Sequence, residues 1–400
     1  MWIEWTLAVR LLREGRIQSA LILVGIAVGV AVIVFLTALI TGLQYNIIDR
    51  TLGTQAHIKV QAPDELNRVL PAAAGVVQLI LETRRAQRLR SITNWQQVRD
   101  ALDALPDVTA VSPIISGPAF ARRGEAVESV ALIGIDVDRY TQIIPLQEDM
   151  IAGRLRVGAG DAVIGSQLAR DLGVSVGDKL RLDPGESRDS VVNVTGIFEL
   201  GVRELDARYV YLDMKQAQSL LNLPGAATAI DVTVRNIFGA SEVAARIARL
   251  TGLKAESWMQ TNSQLMNALE SQRLSTQMIS FFVAVSVALG IASVLFVSVI
   301  QRTREIGILR AMGITRQQML RVFLVQGGVF GLLGSLAGGL AGSGLVWIFN
   351  DFGPKLFYIP VNPMLLVASS LLATATGIIS AAIPARRAAR MDPVQAIRHV

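Results

Sequence analysis

Four long apolar runs punctuate this 400-residue chain, at 17–43, 276–300, 322–349 and 364–383. Each reaches the roughly 20 residues that a helix needs to cross a bilayer. A fifth run, 69–81, has 13 residues and is too short. The first and second long runs are separated by the polar stretch 49–273. Within it, short runs at 57–60, 110–115, 130–135, 192–197, 209–212 and 230–234 read as strands. Residues 95–105 and 241–250 read as helices, the second with Ser241 as its N-cap. The stretch 161–182 reads as strand, short helix, turn at Gly177-Asp178, and strand. The mixture predicts an α+β domain of two lobes, split near residue 150 and rejoined after about 225.

The pattern divides the chain into nine pieces. These are an interfacial helix (1–16), a first span with its extension (17–48), an extracytoplasmic α+β domain (49–261), and a stalk helix with the second span (262–300). A cytoplasmic helical region (301–321), a third span (322–350), a short extracytoplasmic loop (351–363), a fourth span (364–383) and a cytoplasmic tail (384–400) complete it. The first run exceeds the ~7–15 apolar residues of a signal peptide and shows no clear A-x-A site, so it reads as a retained span. In 1–16, Trp2, Trp5, Val9 and Leu12 share a face that would rest on the membrane. Thr261 or Asn262 is a candidate cap for the stalk. An unbroken helix over 262–300 would be a rod of about 58 Å, at 1.5 Å per residue. The alternative is a loose stalk broken near Ser275.

Small residues mark the spans. Gly25 and Gly29 form a GxxxG step, and Gly327, Gly331, Gly334, Gly338 and Gly342 line the third run. Such spacing lets helix backbones approach closely in lipid. No Asp, Glu, Lys or Arg lies inside the four runs, which argues against a proton or ion path.

Charge fixes the orientation. The pieces 1–16, 301–321 and 384–400 hold 12 Arg, no Lys and 4 acids, whereas 49–273 holds 25 basic and 27 acidic residues. The positive excess lies on one side of the membrane, so both termini are expected in the cytoplasm. Lipid headgroups account for the basic pI near 9.9 better than nucleic acid does. There is no Cys, and His57 and His399 form no metal-binding spacing. No GxxxxGK[ST] phosphate loop occurs either. The segment 69–90, with Arg84, Arg85, Arg88 and Arg90, reads either as an amphipathic element for an anionic partner or as a solvated helix.

The stretch QRTREIGILRAMGITRQQMLR, 301–321, holds two helices. Residues 302–312 place Ile306, Leu309 and Met312 on one face and leave Arg304, Glu305 and Arg310 for a partner. Gly313 ends the first helix, and Thr315-Arg316-Gln317-Gln318 forms a capping box for the next. A purely interfacial helix is the alternative. In the tail, Arg386, Arg387 and Arg390 meet the inner headgroups, and Asp392-Pro393 starts a short helix that could be an anchor and nothing more.

RTREIGILRAMG, 302–313, with IPARRAARMDPVQAIR, 383–398, resembles the permease domain of the MacB, FtsX and LolC/LolE superfamily. The order of one span, a large extracytoplasmic domain and three spans is similar too. The resemblance implies a bacterial inner-membrane permease, working as a dimer with a second copy or paralogue. A separate cytoplasmic ATPase would bind ATP and Mg, and this chain would hold no cofactor and catalyse nothing. It implies a coupling helix seated on that ATPase, matched here by Arg302, Arg304, Glu305, Ile306, Ile308, Leu309, Arg310 and Gly313. It further implies mechanotransmission, in which ATP-driven motion at the cytoplasmic side moves the periplasmic domain. GSQLARDLGVSVGDKLRL, 165–182, resembles LolC and LolE more than MacB, which points to lipoprotein-like or lipophilic cargo and a lipoprotein chaperone. Export of small molecules or peptides with a periplasmic adaptor, and FtsX-like regulation of a periplasmic hydrolase, remain the alternatives.

Overall fold

The computed structural model describes residues 4–8, 10, 16–63, 89–185, 189–354 and 357–390. Asp392, Pro393, the basic residues Arg84, Arg85 and Arg88, and most of the N-terminal helix lie outside these residues. The chain forms two compact units, Met1–Ile48 with Asn267–Val400, and Asp49–Met266.

In the first unit, four described helices are long and apolar enough to span: Arg16–Gly53, Ser263–Gln301, Arg316–Phe352 and Pro363–Arg390. The second is continuous, with no break at Ser275, whose hydroxyl donates to the Ser271 carbonyl at 2.9 Å. Of the two candidate caps, Asn262 stands immediately before it, its carbonyl accepting from the Met266 N–H at 3.0 Å. A separate short helix, Trp258–Thr261, comes first, with Ser257 and Gln260 as its capping box, and the Asn262 amide folds back onto the Trp258 carbonyl at 2.8 Å.

Lipid offers no hydrophobic drive between helices, so contact rests on close packing of backbones. The third helix shows how. A Cβ on Gly327 would strike the Gly377 carbonyl oxygen of the fourth helix, and one on Gly377 would strike Gly327 in return. A Cβ on Gly331 would come within 2.7 Å of the Ala373 carbonyl oxygen and the Thr374 Cα of the same helix. About one to three turns further along the same stripe, Gly334 comes close to Ile26, Gly338 to Ala27 and Val30, and Gly342 to Val34 of the first helix. Gly29 accommodates Val287 of the second. Gly25 departs from the expectation of a packing step, because a Cβ there meets nothing within 4 Å. It lines an open apolar groove of about 540 Å³ between the first and second helices, with Leu21, Val28, Phe282 and Gly290.

Among the described residues of the second unit are ten strands: β1 (Ile58–Gln61), β2 (Val108–Arg123), β3 (Ala126–Ile135), β4 (Met150–Gly153), β5 (Asp161–Gly165), β6 (Lys179–Asp183), β7 (Ser190–Phe198), β8 (Tyr209–Asp213), β9 (Ala229–Val234) and β10 (Lys254–Ser257). Strands β2, β3, β8, β5, β7 and β6 pair in that order, and β6 pairs back onto β2, closing a six-stranded ring. Alternate residues point inward, as the two-residue strand period requires. Ala119, Ala121, Val130, Leu132, Ala162, Ile164, Leu180, Leu182, Val192, Val194, Val210 and Leu212 fill one core. The helix Ser166–Leu172 adds Leu168 and Leu172 to it.

The first half of β2 belongs to a second sheet, in the order β10, β1, β9, β2. The lobes therefore divide within β2, near residue 115, and not near 150, which lies in β4. The sequence Ser116-Gly117-Pro118 reads as a strand end, yet the strand runs through it. Gly117 leaves room for Leu221 and Leu89, and the Ser116 amide donates to the Thr228 hydroxyl at 2.8 Å. Ser241 is not the N-cap of Ala240–Thr251; Gly239 holds that place, and the Ser241 hydroxyl instead pairs with that of Ser257 at 2.9 Å.

Asp231, in β9, is buried opposite Ser112 of β2 and Lys59 of β1. Burial pushes its carboxyl up to about 6 against the opposing pull of Lys59. A raised acid pKa means that the folded state holds a proton the unfolded chain has lost. Stability is therefore shed as pH rises from about 4 to about 6 and stays lower above it. Asp231→Asn should raise the melting temperature of the detergent-solubilised protein at pH 7.5, by a penalty of roughly 3 kcal/mol removed, with the gap over the parent closing towards pH 4. An equal gap at both pH values would contradict this assignment. In the spans, Gly331→Val should lower thermal stability and the yield of monodisperse protein, whereas Gly344→Val, which faces open space, should change neither.

Candidate coupling site

The second span ends at Gln301, and a separate helix, Thr303–Ala311, follows at once. Arg302 makes the joint, with a non-helical φ of −104° and ψ of 19°. The Thr303 hydroxyl donates back to the carbonyls of Val299 at 3.2 Å and Ile300 at 2.7 Å, serving acceptors that the joint exposes.

The other end is closed as firmly. Gly313 adopts φ +103°, a left-handed conformation that L side chains resist. Its N–H donates to Arg310 at 3.2 Å and the Ile314 N–H to Leu309 at 3.2 Å, the paired bonds of a Schellman turn. Two residues on, Thr315 and Gln318 form the expected reciprocal capping box of the third helix, at 2.9 and 3.3 Å. The segment is thus a separate helix, bent from the second span at Arg302 and turned sharply into the third helix at Gly313.

One face of this helix is buried. Ile306 and Leu309 pack with Val299 of the second span, Met319 and Phe323 of the third, and Ala385, Ala388 and Ala389 of the fourth. Met312, expected beside them, faces out instead at 69 % exposed. It lies past the last helical residue, where the turn at Gly313 carries the chain away. The outward face carries Arg304, Glu305, Ile308 (43 % exposed), Ala311 and Met312. A basic, an acidic and three apolar side chains on and just beyond a braced helix give a surface suited to a protein partner.

Arg310, expected to face a partner with Arg304 and Glu305, turns inward, and its guanidinium donates to the Ala389 carbonyl at 3.1 Å. Arg387 lies over the Phe296 ring of the second span at 4.6 Å, a cation–π contact in place of a simple headgroup anchor. Arg386 and Arg390 are exposed. The Gln18 amide donates to the Gln301 side chain at 2.6 Å, tying the first span to the second.

Reading the sequence missed the role of Glu4 and Gln326. Arg321 pairs with the buried Glu4 at 3.3 Å, and the buried Gln326 amide reaches the Ala8 carbonyl at 3.4 Å. The signal was present as an acid in a basic, apolar N-terminal segment and an amide in an otherwise apolar run. Among the described residues, no cluster of His, Cys, Asp or Glu could hold a metal ion.

The MacB-like periplasmic core domain matches residues 19–250, and the FtsX-like permease C-terminal region matches 277–393. The chain belongs to the MacB/FtsX/LolC permease superfamily. It is therefore an ABC-type permease of the inner membrane, with four spans and a periplasmic α+β domain. The lipoprotein-releasing system transmembrane protein LolC of Xylella fastidiosa (strain Temecula1) is 26 % identical, over 97 % of this chain and 95 % of that one. The macrolide export ATP-binding/permease protein MacB of Hyphomonas neptunium is 28 % identical over 98 % of this chain, which spans 60 % of that relative's length. The periplasmic region of MacB from Actinobacillus actinomycetemcomitans is a distant structural neighbour, at 14 % identity and a TM-score of 0.36, covering 55 % of this chain and 95 % of that one.

Proposed function

We propose that this permease couples ATP hydrolysis by a separate cytoplasmic subunit to movement of its periplasmic domain, acting on lipoprotein-like or lipophilic cargo. The observation that carries this reading is the braced helix Thr303–Ala311 with its outward face of Arg304, Glu305, Ile308 and Met312. A tether between two spans needs no such capping and no such buried side. The positive excess of the linker and both termini supports a cytoplasmic position for them, where an ATPase would hold ATP and Mg. A second permease copy or paralogue would complete the assembly.

The continuous helix Ser263–Gln301 supports mechanotransmission. It starts beside the short helix that closes the periplasmic domain and ends at the Arg302 joint. A stiff element of this length would carry displacement rather than absorb it. Matching along nearly all of LolC supports lipoprotein release, with a periplasmic chaperone as recipient. The matching MacB relative supports a second reading, export of a small molecule with a periplasmic adaptor.

Glu305→Lys and Ile308→Glu should each reduce co-purification of the ATPase at least about tenfold, the loss of ~1.4 kcal/mol or more from a contact residue. The permease itself should keep its melting temperature. Undiminished ATPase association in both variants would remove the coupling assignment.

A further inference from the structure

A hydrogen bond to one buried residue's carbonyl joins the two most distinctive polar stretches of the chain, 302–313 and 383–398. That acceptor is the carbonyl oxygen of Ala389, in the last turn of the described fourth helix. In an α-helix this carbonyl would accept from the N–H four residues on. The residue there is Pro393, which has no N–H to give. Ala389 is itself buried, against Ile306 and Met319, so water is a poor substitute. The donor that arrives is the Arg310 guanidinium, 79 residues away in sequence and 3.1 Å away in space. A cation beside the carbonyl end of a helix is also favoured by the helix dipole.

We infer that Arg310 is a positioning residue which fastens the helix Thr303–Ala311 to the end of the fourth span, so that the two move as one body about the Arg302 joint. The neighbouring contacts agree. Ile306 and Leu309 share one buried cluster with Met319 and Phe323 of the third helix, with Ala385, Ala388 and Ala389 of the fourth and with Val299 of the second. The backbone leaves helical geometry at Arg302, between the second span and the short helix, whereas the turn towards the third span is fixed by the Schellman and capping-box bonds. A push on the outward face would therefore reach the third and fourth spans directly, and the second by rotation at Arg302. This inference rests on the coupling reading for its purpose but not for its geometry, so it is tested on the permease alone.

The chain has no cysteine, so spin labels can be placed at Met312→Cys and Arg386→Cys, both exposed, without background. In the full chain in lipid nanodiscs, the 312–386 distance should be a single narrow population. Adding Arg310→Met should broaden it, because removal of a charge-assisted hydrogen bond shifts a docking equilibrium by about tenfold or more. Arg310→Lys, which keeps one donor, should fall between. A broad 312–386 distribution with Arg310 intact, or one that Arg310→Met leaves narrow in a folded protein, would overturn the inference. Failure of the coupling reading shows elsewhere, in the ATPase association of the Glu305→Lys and Ile308→Glu variants.

Discussion

Backbone touching backbone is the constraint on which the membrane unit depends. Side chains of the spans gain little by leaving lipid for one another, so helices hold together only where they come close enough for dispersion and weak Cα–H···O contacts to add up. The third helix meets that condition with two neighbours, at successive levels of one glycine stripe. Gly327 and Gly331 lie against the fourth helix, and Gly334, Gly338 and Gly342 against the first. The reciprocal fit of Gly327 and Gly377 leaves no space for a methyl group on either helix. The Ser335 and Ser370 hydroxyls add a 2.7 Å hydrogen bond between the same two helices. The third helix is thus the hub of the unit, and what displaces its end is felt by its neighbours.

That end is where polar contacts collect. The Glu4–Arg321 pair, the Gln326 amide on Ala8, the Gln18–Gln301 bond, the Arg387–Phe296 contact and the Arg310–Ala389 bond each join segments distant in sequence. Of these acceptors, the Glu4 carboxylate and the Ala8 and Ala389 carbonyls belong to buried residues. The periplasmic domain reaches rigidity by another route. Its six-strand ring leaves no open edge among those strands and encloses a core of aliphatic side chains, so it can move as a body rather than deform. A costly feature there is Asp231, a buried carboxyl that lowers stability near neutral pH.

Much of this was legible in the sequence, for physical reasons. The spans announce themselves through length and composition, and the capping box at Thr315 and the stop at Gly313 are local chemistry that tertiary context did not override. The strand–helix–strand stretch over 161–182 was legible because glycines at positive φ, Gly173 and Gly177, separate its pieces and its last strand alternates. What failed were judgements that need a partner in space. Strand β2 continues through Ser116-Gly117-Pro118 because Leu221 and Leu89 occupy the room that Gly117 leaves. Ser241 looked like a cap by position, but Ser257 claims its hydroxyl. Arg310 looked free by helical spacing, and its acceptor lies 79 residues further on. The outward face of the short helix was legible in part, through Arg304, Glu305 and Ile308, while Met312 was misplaced because the turn after it redirects the chain.

The most direct test of the account is a photo-crosslinker placed at Met312 in the permease in its native membrane, with the products identified by mass spectrometry. The account predicts a crosslink to an ATP-binding subunit whose yield changes when ATP hydrolysis is trapped. Crosslinks to lipid alone, or to a subunit with no nucleotide-binding domain, would contradict it.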